Sequence, residues 1–219
     1  MSLQEIIRQR GIESALHFTT NRGLVGTLAV KALLSRCRLQ SENLLEHVLH
    51  VNAARRPEAA ADFDKSANWL DYVNLSISEI NTRFLGVSKR WHNNADVWWC
   101  ILEFGSTIMT HDDVLFATTN NSYQLCKRGV GAHGLQALFA PVVHRKERWS
   151  VMRLGRPTHL PTCEQAEVLY PNSLDTKYLK CIYVEENDHH DVVGGWLQEF
   201  GLDDVDVIVS SAKFKGRPN

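Results

Sequence analysis

One carboxylate has the setting that acid–base chemistry requires. Glu167 lies in the segment Gln165–Tyr170, whose apolar residues fall on both sides of any strand. A carboxylate buried in such a segment costs free energy, and the loss of water raises its pKa. Glu167 is therefore a candidate general base or a candidate stabiliser of positive charge. Two alternatives stay open: Glu167 faces water from an edge strand or an exposed turn, or the nearby Glu164 is the functional carboxylate.

A histidine and a threonine form a second candidate pair. His17 and Thr19 are two positions apart in the β-prone segment Ser14–Thr19, so their side chains share one face of a strand. Together they would present a hydrogen-bond donor and an acceptor to a cleft. A lone histidine in an apolar strand is also common as a core residue with satisfied hydrogen bonds, and this interpretation stays open.

A further strand carries polar side chains on one face. Asn74, Ser76 and Ser78 alternate with apolar residues in the segment 72–78. Because successive side chains of a strand point to opposite faces, the three polar groups lie together. Such a face is either solvated or lines a binding groove.

The basic residues are grouped locally, although the formal charge of the whole chain is −1. Any nucleic acid must therefore contact local patches, and patches that mix cations with aromatic rings combine phosphate binding with base stacking. A solvated surface is the alternative for each patch. The three patches are Arg55-Arg56, the segment 83–91 with Arg83, Lys89, Arg90 and Trp91, and the segment 144–149 with Arg145, Lys146, Arg148 and Trp149.

Strand and helix signals alternate irregularly, which predicts an α+β fold rather than a doubly wound sheet. The segment Met1–Gly11 is typical of an amphipathic helix, and Asn21 is the expected N-cap of a helix that reaches Ser35. The remaining expectations are a polar helical region at 39–69, helices at 122–127, 135–139 and 192–200, a loop at 141–161, and strands at 72–77, 97–104, 114–117, 166–170, 178–184 and 205–209.

Several common sites are excluded because their motifs are missing. The sequence has no G-x-G-x-x-G fingerprint, no P-loop, no H-E-x-x-H helix and no G-x-S-x-G elbow. The five cysteines are odd in number, scattered and without a C-x-x-C pair, which argues against a disulfide framework and a zinc site. We expect no metal, and any nucleotide must be held by other means.

Length and composition suit an ordinary globular protein. With 219 residues, of which 44% are hydrophobic, we expect a single domain over 1–219. No apolar run approaches the ~20 residues that span a bilayer. The N-terminus also lacks the apolar centre of a signal peptide. These features favour a cytoplasmic protein without a membrane partner.

The order of the segments resembles one protein family. A His-Phe-Thr strand leads into a helix, a polar strand follows near Tyr72, Thr-Thr-Asn occurs at 118–120, and a Gln-Ala-Glu-Val-Leu strand follows a long loop. This arrangement is similar to the DarT family of DNA ADP-ribosyltransferases from about Leu16 to the C-terminal strand. The resemblance implies the ADP-ribosyltransferase fold, a split, twisted, mixed β-sheet with surrounding helices that holds NAD in a cleft.

The resemblance also implies roles for individual residues. Glu167 matches the catalytic glutamate, and Arg55 or Arg56 falls where the family has an active-site arginine, with Arg56 preferred. The loop 141–162 corresponds to the substrate-recognising loop. The implied NAD-binding residues are His17, Thr19, Asn21, Ser35 and Ser76, and the implied DNA contacts are Arg55, Arg145, Lys146, Arg148 and Trp149.

The resemblance implies NAD-dependent ADP-ribosylation of a base in single-stranded DNA. It also implies the toxin of a toxin–antitoxin and phage-defence pair, with a DarG-type macrodomain antitoxin as partner. The family has thymine- and guanine-modifying branches, and many members carry an aromatic-rich strand where this chain has Asn-Leu-Ser-Ile-Ser at 74–78. That departure favours guanine and leaves thymine as the alternative. Transfer to RNA or protein, and a non-enzymatic nucleotide- or nucleic-acid-binding module, stay open.

Overall fold

The central feature of the fold is one large mixed sheet. The structure, a computed structural model, describes residues 1–41, 71–92 and 96–219. Eight strands of these described ranges lie side by side, and all neighbours are antiparallel except the first pair. In spatial order they are β12 (Asp206–Val209), β11 (Leu179–Val184), β4 (Trp99–Gly105), β1 (Ser14–Thr20), β3 (Tyr72–Ile77), β9 (Glu167–Pro171), β5 (Leu115–Ala117) and β6 (Arg128–Val130).

The sheet splits between β1 and β3. On one side, β1 pairs with β4 along its whole length, from Ser14 opposite Gly105 to Thr20 opposite Trp99. On the other side, β1 and β3 pair at two positions, Ala15 with Ile77 and Leu16 with Ser76. The two strands separate beyond Leu16, and a cleft opens between them. The predicted α+β class with a split, mixed sheet is confirmed.

Four more strands of the described chain form two small ribbons. β2 (Ala32–Leu34) pairs with β10 (Ser173–Asp175). β7 (Val142–Lys146) and β8 (Trp149–Met152) form a hairpin. The prediction of a loop over 141–161 is therefore wrong for this part, where a β-ribbon stands instead. The predicted helix from Asn21 to Ser35 is also too long, since the helix ends at Ala29 and β2 follows it.

The helices surround the sheet. They are α1 (Leu3–Arg10), α2 (Asn21–Ala29), α3 (Arg36–Ser41), α4 (Thr82–Trp91), α5 (Gly131–Ala137) and α6 (Asn187–Glu199). α1 begins with a capping box between Ser2 and Glu5 and ends at Gly11, whose φ of 67° favours glycine. The N-cap of α2 is Thr20 and not Asn21, because the Thr20 hydroxyl accepts the N–H of Gly23.

Helices were also predicted at 122–127 and 39–69. The segment 122–127 forms turns instead of a helix, because Thr118 and Lys127 are joined by two hydrogen bonds that close the chain between β5 and β6 into a loop. We call residues 118–127 the β5–β6 loop. Of the polar region predicted to be helical at 39–69, only residues 39–41 fall within the described residues, and they form the end of α3. None of the helices in the described ranges is long and apolar enough to cross a membrane.

The apolar core lies on the sheet and holds the site strands in place. Phe104 of β4, Phe116 of β5 and Val168 of β9 have almost no exposed surface. Leu24 and Leu28 of α2 are fully buried in the same cluster. Burial of such side chains stabilises the fold by roughly 1.5–3 kcal/mol each. The strands that carry His17 and Glu167 are therefore anchored by their apolar neighbours.

Candidate active site

The cleft at the split of the sheet is large and mostly apolar. Its volume is about 740 Å³, within the size range of small-molecule and cofactor sites. Polar groups converge on it from separate elements of the fold. They include His17 and Thr19 of β1, Asn21 and Arg22 of α2, Arg36 of α3, Asn74 of β3, Asn120 to Ser122 of the β5–β6 loop, and Glu167 of β9.

Glu167 is the first residue of β9 and lies at the cleft. Its Oε2 atom accepts the backbone N–H of Asn121 at 2.7 Å. Burial raises the pKa of Glu167 to about 7, although Asn121, the side chain of Asn74 and the charge of Arg128 oppose this shift. The acid and the carboxylate are therefore both populated near neutral pH. Because β9 lies between β3 and β5, the edge-strand alternative is wrong.

Glu164 has a different role from Glu167. Its side chain is 3% exposed, its Oε1 atom lies 2.5 Å from Nε of Arg83, and a second ion pair joins it to Arg145 at 3.6 Å. Burial raises the pKa of Glu164, and both arginines oppose the shift. Glu164 is not among the residues that line the cleft. The rival carboxylate is thus part of an internal ion-pair cluster.

His17 joins the two halves of the split sheet. Its Nδ1 atom lies 2.9 Å from the backbone oxygen of Asn74, and since a carbonyl only accepts, Nδ1 must donate. In the neutral ring Nε2 is then an acceptor. Burial lowers the pKa of His17, although the bond to Asn74 opposes the shift, so the neutral form prevails near pH 7. The structure places this ring in the cleft, in agreement with the predicted location.

Thr19 packs tightly against the first turn of α2. A Cβ atom added to Gly23 would lie 2.2 Å from Oγ1 of Thr19, so no larger residue fits at position 23 unless the threonine moves. Gly23 in turn donates its N–H to Thr20. The glycine thus allows Thr19 to approach the helix start while still lining the cleft.

Asn21 lies beside Thr19 at the start of α2. Its amide nitrogen donates to the backbone oxygen of Asp96 at 2.9 Å. Its Oδ1 atom is buried and has no hydrogen-bond partner among the described residues. Asn21 therefore lines the cleft, while its Oδ1 atom is enclosed by the protein.

Two serines predicted to bind NAD do not line the cleft. Ser35 is 1% exposed, its hydroxyl donates to Asp71 at 3.0 Å, and it accepts the N–H of Arg38 near the start of α3. Ser76 pairs with Leu16, at the position where β1 and β3 are still joined. The structure argues against direct ligand contact for both serines. The hydroxyl of Ser35 is already hydrogen-bonded inside the protein, and Ser76 lies where β1 and β3 are still paired.

Two arginines other than the predicted ones line the cleft. Arg55 and Arg56, the predicted active-site arginines, lie outside the described residues. Arg22 and Arg36 are exposed and line the cleft. In the sequence neither differs from an ordinary surface arginine of a helix, and only the fold shows that both line the same cleft.

Arg145 does not fit the predicted DNA contact. In β7 its side chain points inward like that of Val143, two positions earlier, and is 0% exposed. It donates to Sγ of Cys163 at 3.1 Å and pairs with Glu164. A buried arginine with these partners stabilises the interior and is not available to phosphate.

The other three predicted DNA contacts lie on the surface of the hairpin. Arg148 is exposed, Lys146 is half-buried and Trp149 is 36% exposed. The guanidinium of Arg145 packs against the Trp149 ring at 4.6 Å. The ammonium group of Lys146 lies 5.1 Å from the ring of Tyr123. Because Tyr123 directly follows cleft-lining residues of the β5–β6 loop, the hairpin adjoins the cleft.

No cluster of metal ligands occurs in the part of the chain that the structure describes: no three His, Cys, Asp or Glu side chains are placed to hold an ion. The site is instead a cleft at the split of a mixed sheet, with an interior carboxylate beside it.

The family follows from the comparison with known sequences. The family model "ssDNA thymidine ADP-ribosyltransferase, DarT" matches residues 16–215, and the chain belongs to this family. A comparison with curated proteins finds no match in sequence.

Solved structures share the fold at low sequence identity. Thermus sp. 2.9 DarT in complex with carba-NAD+ has 13% identity and a TM-score of 0.60, with 91% of this chain and 96% of that chain covered. The same protein in complex with ADP-ribosylated ssDNA has 12% identity, a TM-score of 0.59, and 91% and 95% coverage. Thermosipho africanus DarTG in complex with ADP-ribose has 14% identity and a TM-score of 0.58 over 92% of this chain. This chain covers 50% of the DarTG chain.

Proposed function

We propose that this chain transfers ADP-ribose from NAD to a base of single-stranded DNA, with Glu167 as the catalytic residue. The observation that carries the proposal is the half-buried Glu167 carboxylate at the split of the sheet, oriented by Asn121 at 2.7 Å. Membership of the DarT family and the NAD+ and ADP-ribosylated ssDNA complexes of Thermus sp. 2.9 DarT support it.

The cleft suits NAD in size and in chemistry. Its volume of about 740 Å³ lies within the range of sites for ligands of cofactor size. Arg22 and Arg36 offer guanidinium groups that suit the diphosphate, since arginine binds phosphate oxygens bidentately. The acceptor Nε2 of His17 suits a ribose hydroxyl. Arg56, outside the described residues, stays part of the proposal.

Transfer of ADP-ribose requires a carboxyl group that can be charged at one stage and protonated at another. NAD supplies an anomeric carbon that develops positive charge as its bond to nicotinamide breaks. The Glu167 carboxylate stabilises that charge electrostatically. As the base nitrogen bonds to the same carbon, its proton passes to Glu167, whose pKa of about 7 suits a general base near neutral pH. Nicotinamide leaves, and the product is the ADP-ribosylated base.

The hairpin of β7 and β8 is the proposed contact for DNA. Arg148 and Lys146 supply positive charge, and Trp149 supplies a ring for stacking. Such contacts bind a short single strand without a basic protein overall. An unpaired base is required because the reacting edge is otherwise hydrogen-bonded in a duplex.

We propose guanine as the target base. Its exocyclic amine can attack first and lose its proton afterwards, so it demands less of the base catalyst than the ring N–H of thymine does. Asn74 lines the cleft with an amide that can both donate and accept, which suits a purine edge. Thymine is the second candidate, favoured by the description of the matched family.

We further propose that the chain is a toxin with a macrodomain antitoxin as its partner. The support is the similarity to one part of Thermosipho africanus DarTG, a chain about twice as long. Co-expression tests this proposal: growth arrest by the active chain should be relieved by a macrodomain hydrolase. Arrest that no macrodomain relieves would contradict it.

The acceptor is tested by incubating the protein with radiolabelled NAD and separate pools of single-stranded DNA, duplex DNA, RNA and protein. We expect label on single-stranded DNA alone. Label on RNA or protein, with single-stranded DNA unlabelled, would replace the proposal with one of those acceptors. Binding of NAD without any transfer would favour the non-enzymatic alternative.

A further inference from the structure

Arg128 of β6 binds Asn121 through two nitrogen atoms of its guanidinium group. Its Nε atom donates to the side-chain oxygen Oδ1 of Asn121 at 2.7 Å. A terminal nitrogen of the same group donates to the backbone oxygen of Asn121. A third bond runs from its other terminal nitrogen to the backbone oxygen of Cys126 at 3.4 Å. One planar guanidinium fork thus ties Asn121 to Cys126, near the end of the β5–β6 loop.

Asn121, which Arg128 binds, is also hydrogen-bonded to the candidate catalytic carboxylate of Glu167. Asn121 is 4% exposed, and its backbone N–H donates to Oε2 of Glu167 at 2.7 Å. Because Arg128 holds both the side chain and the carbonyl of Asn121, this residue has little freedom to move its N–H, which belongs to the preceding peptide unit, away from Glu167. The order of contact is Arg128, then Asn121, then Glu167.

We propose that Arg128 is a positioning residue for the transfer reaction, holding the Asn121 N–H so that the Glu167 carboxylate keeps one orientation in the cleft. The expected effect on catalysis rests on the proposed function. The contacts from Arg128 to Asn121 and from Asn121 to Glu167 do not depend on that function. A charge-stabilising carboxylate acts only when it is pre-oriented, since small displacements of catalytic groups reduce rates strongly.

The surroundings of Glu167 show what loss of Arg128 would change. Among the described residues, the charged or titratable groups that interact with Glu167 are Arg128 and Cys126, and the neutral Asn74 and Asn121 complete the set. Asn121 and Arg128 both lower the pKa of Glu167. Burial raises the pKa of the Cys126 thiol, so Cys126 carries no charge near neutral pH. Removal of Arg128 therefore moves the titration of Glu167 upward.

Three variants separate positioning from charge. Arg128→Gln removes both the fork and the charge, whereas Arg128→Lys keeps the charge and loses the fork. Asn121→Ala removes Oδ1 and leaves the backbone N–H in place. Lys127→Gln is the matched control, because it removes a neighbouring exposed charge from the same loop.

We expect kcat to fall about 10- to 100-fold in Arg128→Gln and Arg128→Lys, with KM for NAD within about twofold of the unmodified protein. The fall in kcat should be smaller in Asn121→Ala, and kcat should be unchanged in Lys127→Gln. The acid limb of the pH profile should move to higher pH in Arg128→Gln and stay nearly in place in Arg128→Lys. Unchanged kcat and pH profile in both arginine variants would overturn the proposal, as would a rate loss that merely follows the unfolded fraction.

A readout without catalysis separates this proposal from the proposed function. Carbon-13 NMR of labelled glutamate carboxyls, assigned with Glu167→Gln, follows the titration of Glu167 directly. An upward shift in Arg128→Gln and none in Lys127→Gln supports the contact even if no acceptor is modified. A titration unchanged by Arg128→Gln overturns the positioning role, whether or not the unmodified protein transfers ADP-ribose to DNA.

Discussion

The Nδ1 atom of His17 donates a hydrogen bond of 2.9 Å to the backbone oxygen of Asn74, across the point where β1 and β3 separate. This bond replaces the ladder pairing that the split removes. It also fixes the tautomer of the ring, so that Nε2 becomes an acceptor. One histidine thereby spans the gap in the sheet and lines the cleft that the gap creates.

The first prediction concerns this histidine. His17→Ala should weaken NAD binding about tenfold, the effect of one lost hydrogen bond of roughly 1.4 kcal/mol. Titration calorimetry with NAD measures the affinity, and a thermal melt measures stability. His133→Ala, an exposed histidine of α5, is the matched control. An unchanged affinity together with a large drop in Tm would mean that His17 is a core residue.

Glu167 should make the stability depend on pH in an identifiable way. The unfolded glutamate loses its proton near pH ~4.3, whereas the folded one does so at about 7. Between these values the folded state holds a proton that the unfolded state has lost, so this group lowers stability as pH rises through the window. The Tm of Glu167→Gln minus that of the unmodified protein should therefore increase from pH 5 to pH 8. A difference that is constant over this range would show that Glu167 is not desolvated.

Arg145 should be a stability residue. Arg145→Met removes one of the two ion pairs of the buried Glu164, and breaking a buried ion pair costs about 3–5 kcal/mol. Denaturant unfolding measures the loss, and Arg148→Met, a change at an exposed arginine of the same hairpin, should cost little. The double variant Arg145→Met/Glu164→Gln should recover part of the loss. Full stability of Arg145→Met with weakened DNA binding would restore the original prediction of a DNA contact.

Trp149 should contribute to DNA binding in addition to packing against Arg145. Stacking of one base on an aromatic ring contributes about 1–3 kcal/mol, so Trp149→Ala should weaken binding of a single-stranded oligonucleotide roughly 5- to 150-fold. Fluorescence anisotropy measures this affinity. Leu154→Ala, which changes a 95% exposed aliphatic side chain just after β8, serves as the control. Equal affinities for the two variants would remove the hairpin from the proposed DNA site.

Much of the fold was predictable because its patterns are local. β1 and β9 lie where the apolar runs around His17 and Glu167 indicated strands, and α1 matches its predicted helix closely. α6 was predicted at its C-terminal end but begins five residues before the predicted start. The hairpin of β7 and β8 was missed because charged residues and flanking prolines made its segment look like a loop. The early end of α2 was missed because β2 continues the same apolar pattern.

The parts of the site that escaped prediction depend on distant contacts. Arg145 is buried because Glu164, from the segment before β9, lies opposite it, and no local pattern shows this pairing. Arg22 and Arg36 face the cleft because the sheet splits beside them. Asn121 touches Glu167 through its backbone, so its side-chain type carried no signal.

The central claim is that Glu167 drives transfer of ADP-ribose from NAD to a base of single-stranded DNA, and one comparison tests it most directly. The unmodified protein and Glu167→Gln are incubated with NAD and an oligonucleotide of all four bases, and the nucleosides are analysed by mass spectrometry. Glu199→Gln, at an exposed position of α6, is the control. We predict ADP-ribosylated guanosine from the unmodified protein and the control, and at least ~100-fold slower formation by Glu167→Gln with NAD binding retained. If thymidine is the modified nucleoside, only the proposed target base is wrong. Near-normal turnover by Glu167→Gln would contradict the catalytic role of Glu167.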